Sequence, residues 1–458
     1  MFERFEIVET ALVQMLEEKK YTAARAVLAT MNPNDIAAMF GHMAEKRIPL
    51  LFRLLPKDVA AETFVEMQPD EQELLISGFS DNELKEMLAE ISDDDAADIA
   101  EEMPANVVAR LLRQADPEMR RAINHLLRYP EDYVGSIMTT EYVSLRPQMT
   151  VGESILRIRR QGFDKETIYT CYVTHNRTLL GVVTVRELLL CTDDDTPVSE
   201  IMSTDIISVS TATDREEASQ LLSHYNFLAL PVVDGENRMV GIVTFDDAMD
   251  VLEDAATEDM ELMGGMTPSE KTYLKSSPFE LFKNRVPWLM LLMVSATFTG
   301  LIITAFEGAL AAQVALTAFI PMLMGTGGNS GSQSSVTVIR ALSLGELRLR
   351  DVWRVLGKEL ATALLCGIAL AAVCFGKIWL VDRTLMGNSD ITWQVNLVVC
   401  LTLAVTVVAA KLVGCTLPLA AKALKLDPAV MASPFISTIV DALSLLVYFL
   451  FAQTVLGI

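Results

Sequence analysis

Residues Ala432–Phe451 read ASPFISTIVDALSLLVYFLF, twenty positions with one charge, Asp441, at the tenth place. A stretch this long and this apolar spans a bilayer core as a single helix. A carboxylate near its middle costs about 2.5 to 3.5 kcal/mol on insertion scales, so it marks an ion pathway by default. The alternatives are a protonated acid or a helix-packing contact, and the sequence leaves them open. Pro434 cannot donate to the Val430 carbonyl four residues earlier, which leaves that oxygen for an aqueous path.

Working outward, the uncharged run extends on both sides of this stretch, from Pro428 to Ile458, and four more precede it: Val286–Phe306, Gly308–Ile339, Leu360–Gly376 and Ile391–Ala410. Buried helices of a soluble protein would keep a polar face that these runs lack. Five membrane spans are therefore expected. The whole sequence carries 60 acids against 37 bases. The imbalance lies entirely before Ser276, where the net charge is −26, against +3 afterwards. A single soluble domain and a mainly disordered chain are both excluded.

Basic residues orient the spans. Lys271, Lys275, Lys283 and Arg285 precede the first; Arg340, Arg348, Arg350, Arg354 and Lys358 separate the second from the third; Lys411, Lys422 and Lys425 are assigned to the connection before the fifth. With these loops inside, the N-terminus is cytoplasmic and the C-terminus outside, in a multi-pass plasma (inner) membrane protein. Met1–Leu12, with Glu3, Arg4, Glu6 and Glu9, does not read as a secretory signal. No cysteine pair has C-x-x-C spacing and the four histidines are scattered, so neither a disulfide nor a zinc framework is indicated.

A second polar insertion lies in the second run. Pro321–Gln333, PMLMGTGGNSGSQ, has Gly325, Gly327, Gly328 and Gly331 beside Asn329, Ser330, Ser332 and Gln333. The glycines let backbones or hydrated ions approach; close helix packing is the plainer account of them. Packing alone does not call for Asn329 and Gln333. Pro321 is read as freeing the Thr317 carbonyl, as Pro434 does for Val430.

The acidic half divides in two. Up to residue 130, helix starts recur every 24 residues at Pro69, Asp93 and Pro117, with an alternate set near Pro33, Pro56, Ser80 and Pro104. Proline or aspartate suits a first turn, and the repeat predicts a small α-helical superhelical domain. Beyond it, Met138 and Met202 are 64 residues apart and Gly181 and Gly241 are 60 apart, so 131–200 and 201–262 read as an internal duplication of α+β units. Carboxylates repeat at helical spacing at Asp94, Asp98 and Glu101, and again at Asp247, Asp250, Asp254 and Glu258. A divalent cation with oxygen ligands, magnesium or calcium, would relieve their repulsion. A solvated acidic face is the alternative.

The duplicated unit, with PVVD and GIVT in its second copy, resembles a tandem CBS pair, a regulatory module that in some proteins binds adenine nucleotides; ATP is thus a candidate second ligand. PMLMGTGGNSGSQ and DPAVMASPFISTIVDALSLLVYF, following an acidic helical domain and such a pair, resemble the MgtE family of magnesium channels and transporters over essentially the whole sequence. The resemblance implies a homodimer with five membrane helices per subunit (286–458) and a pore between subunits, lined by the second and fifth helices. It implies that Asp441 holds hydrated magnesium near Ser433, Ser437 and the Ala429 backbone, with Pro321, Gly325, Gly327, Gly328, Asn329, Gly331, Gln333 and Pro434 lining the path.

It also implies regulatory magnesium at Glu62, Asp94, Asp98, Asp214, Glu216, Asp247, Asp250, Glu258 and Asp259, with Asp427 at the cytosolic mouth, and a connecting plug helix over 263–285 that closes the pore. That connection equally reads as an interfacial linker anchored by Phe279, Phe282 and Lys283. Asn226 and Ala255 stand where the better-known pattern has acids, and Ser433 where some members have asparagine. The expected function is passive, magnesium-selective uptake shut off by cytosolic magnesium, not enzymatic catalysis. A membrane-anchored CBS sensor without transport, a CBS-regulated enzyme and a CBS-bearing chloride channel are the competing readings. No nucleophile and base set or phosphate-binding loop supports the enzyme, and the chloride channel would need more spans.

Overall fold

The computed structural model describes residues 2–269, 271, 273–388, 390–431 and 433–457, the side chains of 2–6, 164 and 433 excepted. It divides into two compact units, meeting between Leu252 and Glu253.

Among the described residues the first unit opens with ten helices, from Phe2–Glu17 to Pro117–Leu126, all but the first of five to ten residues. Helices begin at Pro69, Asp93 and Pro117, and the alternate set begins at Pro33, Lys57, Asp81 and Ala105. Side chains cap many of these starts. Ser80 and Glu83 form a reciprocal capping box, Ser92 accepts from the Asp95 N–H, and Asp116 accepts from those of Glu118 and Met119. Helices this short are marginal alone, and their apolar faces meet instead, as where Phe52, Phe64 and Phe79 pack with ring centroids 5.7–6.3 Å apart.

Two three-stranded sheets follow. Tyr142–Leu145 pairs parallel with Thr167–His175, which pairs antiparallel with Thr178–Thr184; Val209–Ser210, Ala229–Val233 and Met239–Thr244 repeat the order. The copies exchange their entry segments. Thr139 bridges to Ile242 in the second sheet and Ser203 to Val182 in the first, each through a reciprocal pair of backbone hydrogen bonds of 2.8–2.9 Å. Gly181 and Gly241 permit this crossing, because a Cβ would lie 3.0 Å from the Ser203 carbonyl oxygen at one and 2.6 Å from that of Thr139 at the other. The last helix of the pair, Phe245–Met263, ends where Gly265 adopts φ +71° and the Met266 N–H bonds the Glu261 carbonyl. This last CBS helix stops at the start of the span 263–285 expected for the connecting plug helix. The described residues of 264–277 are not helical, and Pro278, capped by Ser277, starts the first membrane helix.

Among the described residues of the second unit, four helices are long and apolar enough to cross a membrane: Pro278–Ala305, the one within Leu349–Leu385, Trp393–Ala423, and the one within Pro428–Leu456. A fifth, Ile320–Ser343, has 24 residues, about 36 Å of helix. Its length suffices, and its glycines and polar residues set it apart in composition. Two expectations need correction here, those on the Thr317 carbonyl and on Lys411. Pro321 lies in that helix's first turn, and the Thr317 carbonyl accepts from the Ile320 N–H, so it is not freed. Pro434 lies in the first turn of Ser433–Leu456, where its missing donor costs that helix nothing, and the reading of the Val430 carbonyl stands as an expectation. Lys411 is not in a connection: Trp393–Ala423 continues well past Ala410 and buries it.

Candidate pore and cation-sensing sites

The glycine-rich helix Ile320–Ser343 has two unlike faces. Gly327, Gly328, Ser330, Gly331, Ser334 and Ser335 are buried. A Cβ at Gly327 would meet Thr406, Val440 and Ser444 at 2.8–3.0 Å, and one at Gly331 would meet Ile436 at 2.9 Å and the Ala410 carbonyl at 3.1 Å. These glycines serve close packing. The other face carries Gly325, Asn329, Gln333 and Thr337, all exposed and spaced by one turn, with Pro321 at its head. A polar stripe at membrane depth cannot lie against lipid tails; it requires water or another protein surface.

Ser433–Leu456 runs antiparallel to this helix, since a Cβ at Gly331 would face Ile436, one at Gly328 would lie 3.3 Å from Ser437 Oγ, and one at Gly327 would face Val440 and Ser444. One turn further along each helix, Asp441 comes level with Gly325, around whose Cβ position there is open space. Asp441 is half-buried and has no hydrogen-bond or ion-pair partner among the described residues. It is about 12 Å from the start of its helix. Ala429 is buried with Ile339, Leu262 and Met263, and its N–H is given to Asp427 at 2.7 Å. The Ser433 side chain lies outside the described residues.

Several acids of the first unit form one patch where the helical domain meets the CBS pair. Asp94 is 6 % exposed, and its Oδ1 has no hydrogen-bond partner. Desolvation raises its pKa and that of Asp93, whose carboxylate accepts from Thr140 Oγ1 at 3.3 Å. Desolvation, followed by the charges of Asp94, Glu66 and Asp246, pushes Asp95 up to about 6. Asp98 is pushed up to about 8, by desolvation and then by Asp94, Asp95, Glu101 and Glu102. Because Asp98 keeps an exposed edge, crowding by like charge explains this better than dry burial does.

From the CBS side, Glu141 and Glu166 both rise to about 7, by desolvation and then by Asp93 and Asp94 for the first and Asp94, Asp95 and Asp246 for the second. Asp247, which accepts from Thr244 Oγ1, rises for the same two reasons, with Asp94 its strongest neighbour. Asp250 acts on Glu66. Lys165 is the cation that tempers Asp93 and Glu141. Among the described residues no three metal-ligating side chains already stand in a metal-holding arrangement. The orphaned Asp94 oxygen and the mutual repulsion fit a hydrated divalent cation, which binds loosely spaced carboxylates through its waters.

Three profiles match the chain: a divalent cation transporter domain, MgtE, over residues 320–451, the MgtE intracellular N domain over 31–132, and CBS domains over 134–192 and 198–254. The magnesium transporter MgtE of Thermus thermophilus is 38% identical over 456 residues, 98% of this chain and 99% of its own length. This chain belongs to the MgtE family. The Bacillus subtilis magnesium transporter MgtE is 32% identical over 96% of this chain and 95% of its own. Among solved structures, the cytosolic domain of the Mg2+ channel MgtE in complex with ATP is 39% identical, with TM-score 0.51, covering 53% of this chain and 99% of that one. The soluble part of a magnesium transporter follows at 29% identity and TM-score 0.50, covering 55% and 99%. MgtE proteins are multi-pass membrane transporters, not enzymes, with an intracellular N domain.

Within this MgtE chain the expected acids separate into groups. Asp94, Asp98, Asp247 and Asp250 share the patch, and Asp93, Asp95, Glu66, Glu141, Glu166 and Asp246 join it unanticipated. The DDD run at 93–95 was the available signal for two of those; Glu66, Glu141 and Glu166 reach the patch only through tertiary packing. In the second unit, Asp259 accepts from Ser343 Oγ at 2.9 Å, and desolvation and Asp427 raise it. Glu258 is exposed on the same helix. Glu62 is exposed on Lys57–Val65. Asp214 is the N-cap of Arg215–Tyr225, accepting from the N–H groups of Glu216 and Glu217, and Asn226 closes that helix at φ +53°.

Proposed function

We propose that this MgtE chain conducts magnesium passively into the cell and that cytosolic magnesium shuts it. The reading rests above all on Asp441, a carboxylate without a hydrogen-bond or ion-pair partner among the described residues, level with Gly325 on the open polar face of the neighbouring helix. A hydrated dication passing beside it would offset its desolvation and keep its own inner waters. Two copies of the chain facing each other across the Gly325, Asn329 and Gln333 stripe would enclose the wet path that the stripe demands. An inside-negative potential drives entry by about 4.6 kcal/mol for a divalent ion per 100 mV, twice the single-charge value. Closure follows when magnesium neutralises the patch around Asp94, Asp98, Asp247 and Asp250 and draws the helical domain onto the CBS pair. ATP, present in the homologous cytosolic domain, is a candidate second ligand of that pair; calorimetry on the full-length protein tests it.

The deciding experiment is magnesium uptake by purified protein in liposomes. Asp441→Ala abolishes it while size-exclusion behaviour is preserved. Undiminished uptake by that variant refutes the pore, and no uptake by the wild type favours a membrane-anchored sensor.

A further inference from the structure

Lys411 is 5 % exposed in a helix that crosses the membrane, a costly place for an ammonium unless it is paired. Its Nζ donates to Ser334 Oγ at 3.2 Å, and that hydroxyl donates to Glu359 Oε2 at 2.6 Å. The chain of bonds thus joins three helices: Trp393–Ala423, the glycine-rich Ile320–Ser343, and Val352–Lys377. One turn away, Gly414 and Gly331 bring the first two backbones together so closely that a Cβ on Gly414 would lie 2.2 Å from the Gly331 carbonyl oxygen. Ser334 is buried, and its sequence neighbour Gln333 is on the exposed polar stripe. The contact that pins Ser334 therefore fixes the rotation of the helix about its own axis, and with it the direction in which Asn329 and Gln333 point.

We propose that Lys411, Ser334 and Glu359 form an intramembrane clamp whose role is to position the pore-facing stripe of the glycine-rich helix. A hydroxyl between the two charges gives the clamp direction as well as strength, because it must donate to the carboxylate in order to accept from the ammonium. Glycines alone would allow the helix to slide or roll in its groove; a charged pair bridged through one serine does not.

The proposal rests on the stripe lining the path, and wild-type uptake in the same vesicles tests that reading separately. Magnesium uptake and its competition by manganese are measured for full-length K411M, K411R, E359Q, S334A and the double variant K411M/E359Q in liposomes. K411M and E359Q each raise the half-saturating magnesium concentration about tenfold and shift the ratio of magnesium to manganese uptake. K411R stays within about twofold of wild type. K411M/E359Q loses about as much as either single variant and no more, because each change already breaks the same clamp. Wild-type half-saturation and selectivity in K411M overturn the proposal, as do losses that simply add in the double variant. Should K411M fail to fold, S334A, which breaks the bridge without removing a charge, decides the matter: unchanged selectivity there also overturns it.

Discussion

The carboxylates of the first unit and the single carboxylate of the membrane helix solve opposite problems. Around Asp94 at least eight acids crowd together, and each raises the pKa of its neighbours. Asp441 stands alone and half-buried, with open space beside Gly325. A crowd of like charges is bistable: it parts when unneutralised and closes when a cation or protons arrive. An isolated charge has no second state to move to, so whatever it does, it does continuously. On the reading proposed above, the crowded patch serves regulation and Asp441 serves passage.

The sharpest way to break this contrast is to neutralise each side. Asp441→Asn keeps shape and removes charge, and magnesium flux falls by about 100-fold or more, equivalent to about 2.7 kcal/mol of lost stabilisation at the ion's passage. Neutralising Asp94, Asp98, Asp247 and Asp250 together leaves maximal flux intact but keeps the pore conducting at high cytosolic magnesium, with the half-inhibitory concentration raised about tenfold. Patch-clamp recording with magnesium titrated on the cytosolic face measures both. Full inhibition of the quadruple variant would remove the patch from the switch.

The next effect is structural. Gly414→Ala places a methyl against the Gly331 carbonyl, backbone against backbone, where neither side has a flexible end to yield. Overpacking of this kind costs about 1 to 3 kcal/mol, read as a lowered melting temperature in detergent. Gly325→Ala, on the open face, leaves the melting temperature unchanged and acts on flux alone.

This pair of glycines also shows how far the sequence could be read. Helical spacing and turn chemistry are local, so the 24-residue starts at Pro69, Asp93 and Pro117 and the duplicated CBS units were legible from residue order. Which face of PMLMGTGGNSGSQ packs and which is open depends on the helices beside it, and Gly414, the closest contact of all, gave no signal because its neighbours look like any apolar span. Lys411 was misplaced for the same reason: a charge after a long apolar run reads as the run's end unless a partner such as Ser334 is known. Asp441 stands out in residue order because the cost of a carboxylate at membrane depth does not depend on fold. Pro321 shows the converse, since residue order alone does not tell a first turn from a helix interior.

Protons sharpen the contrast further. Asp95, Asp98, Glu141 and Glu166 have folded-state pKa values raised to about 6, 8, 7 and 7. An acid raised above its unfolded value binds more protons when the interface is closed, so stability of the metal-free closed patch falls as pH climbs from about 4 through 8. Magnesium must displace those protons, and its apparent affinity for the cytosolic patch therefore rises several-fold from pH 6 to pH 8, with proton release on binding. Calorimetry in buffers of different ionisation enthalpy measures that release. Absence of proton release at pH 7 would mean that the patch is not where magnesium binds.

The smallest effect separates an acid that caps from one that senses. Asp214 falls in the regulatory set by resemblance, yet its carboxylate is committed to the N–H groups of Glu216 and Glu217 at 2.9 and 3.2 Å. Serine caps a helix about as well as aspartate and carries no charge. Asp214→Ser should therefore leave both the melting temperature and the magnesium-inhibition curve close to wild type, whereas Asp214→Ala lowers stability by about 1 kcal/mol and still leaves the curve in place. If the serine variant shifts inhibition as strongly as loss of Asp94 does, Asp214 ligates magnesium in addition to capping, and the sensor extends from the crowded patch to the second CBS domain's helix.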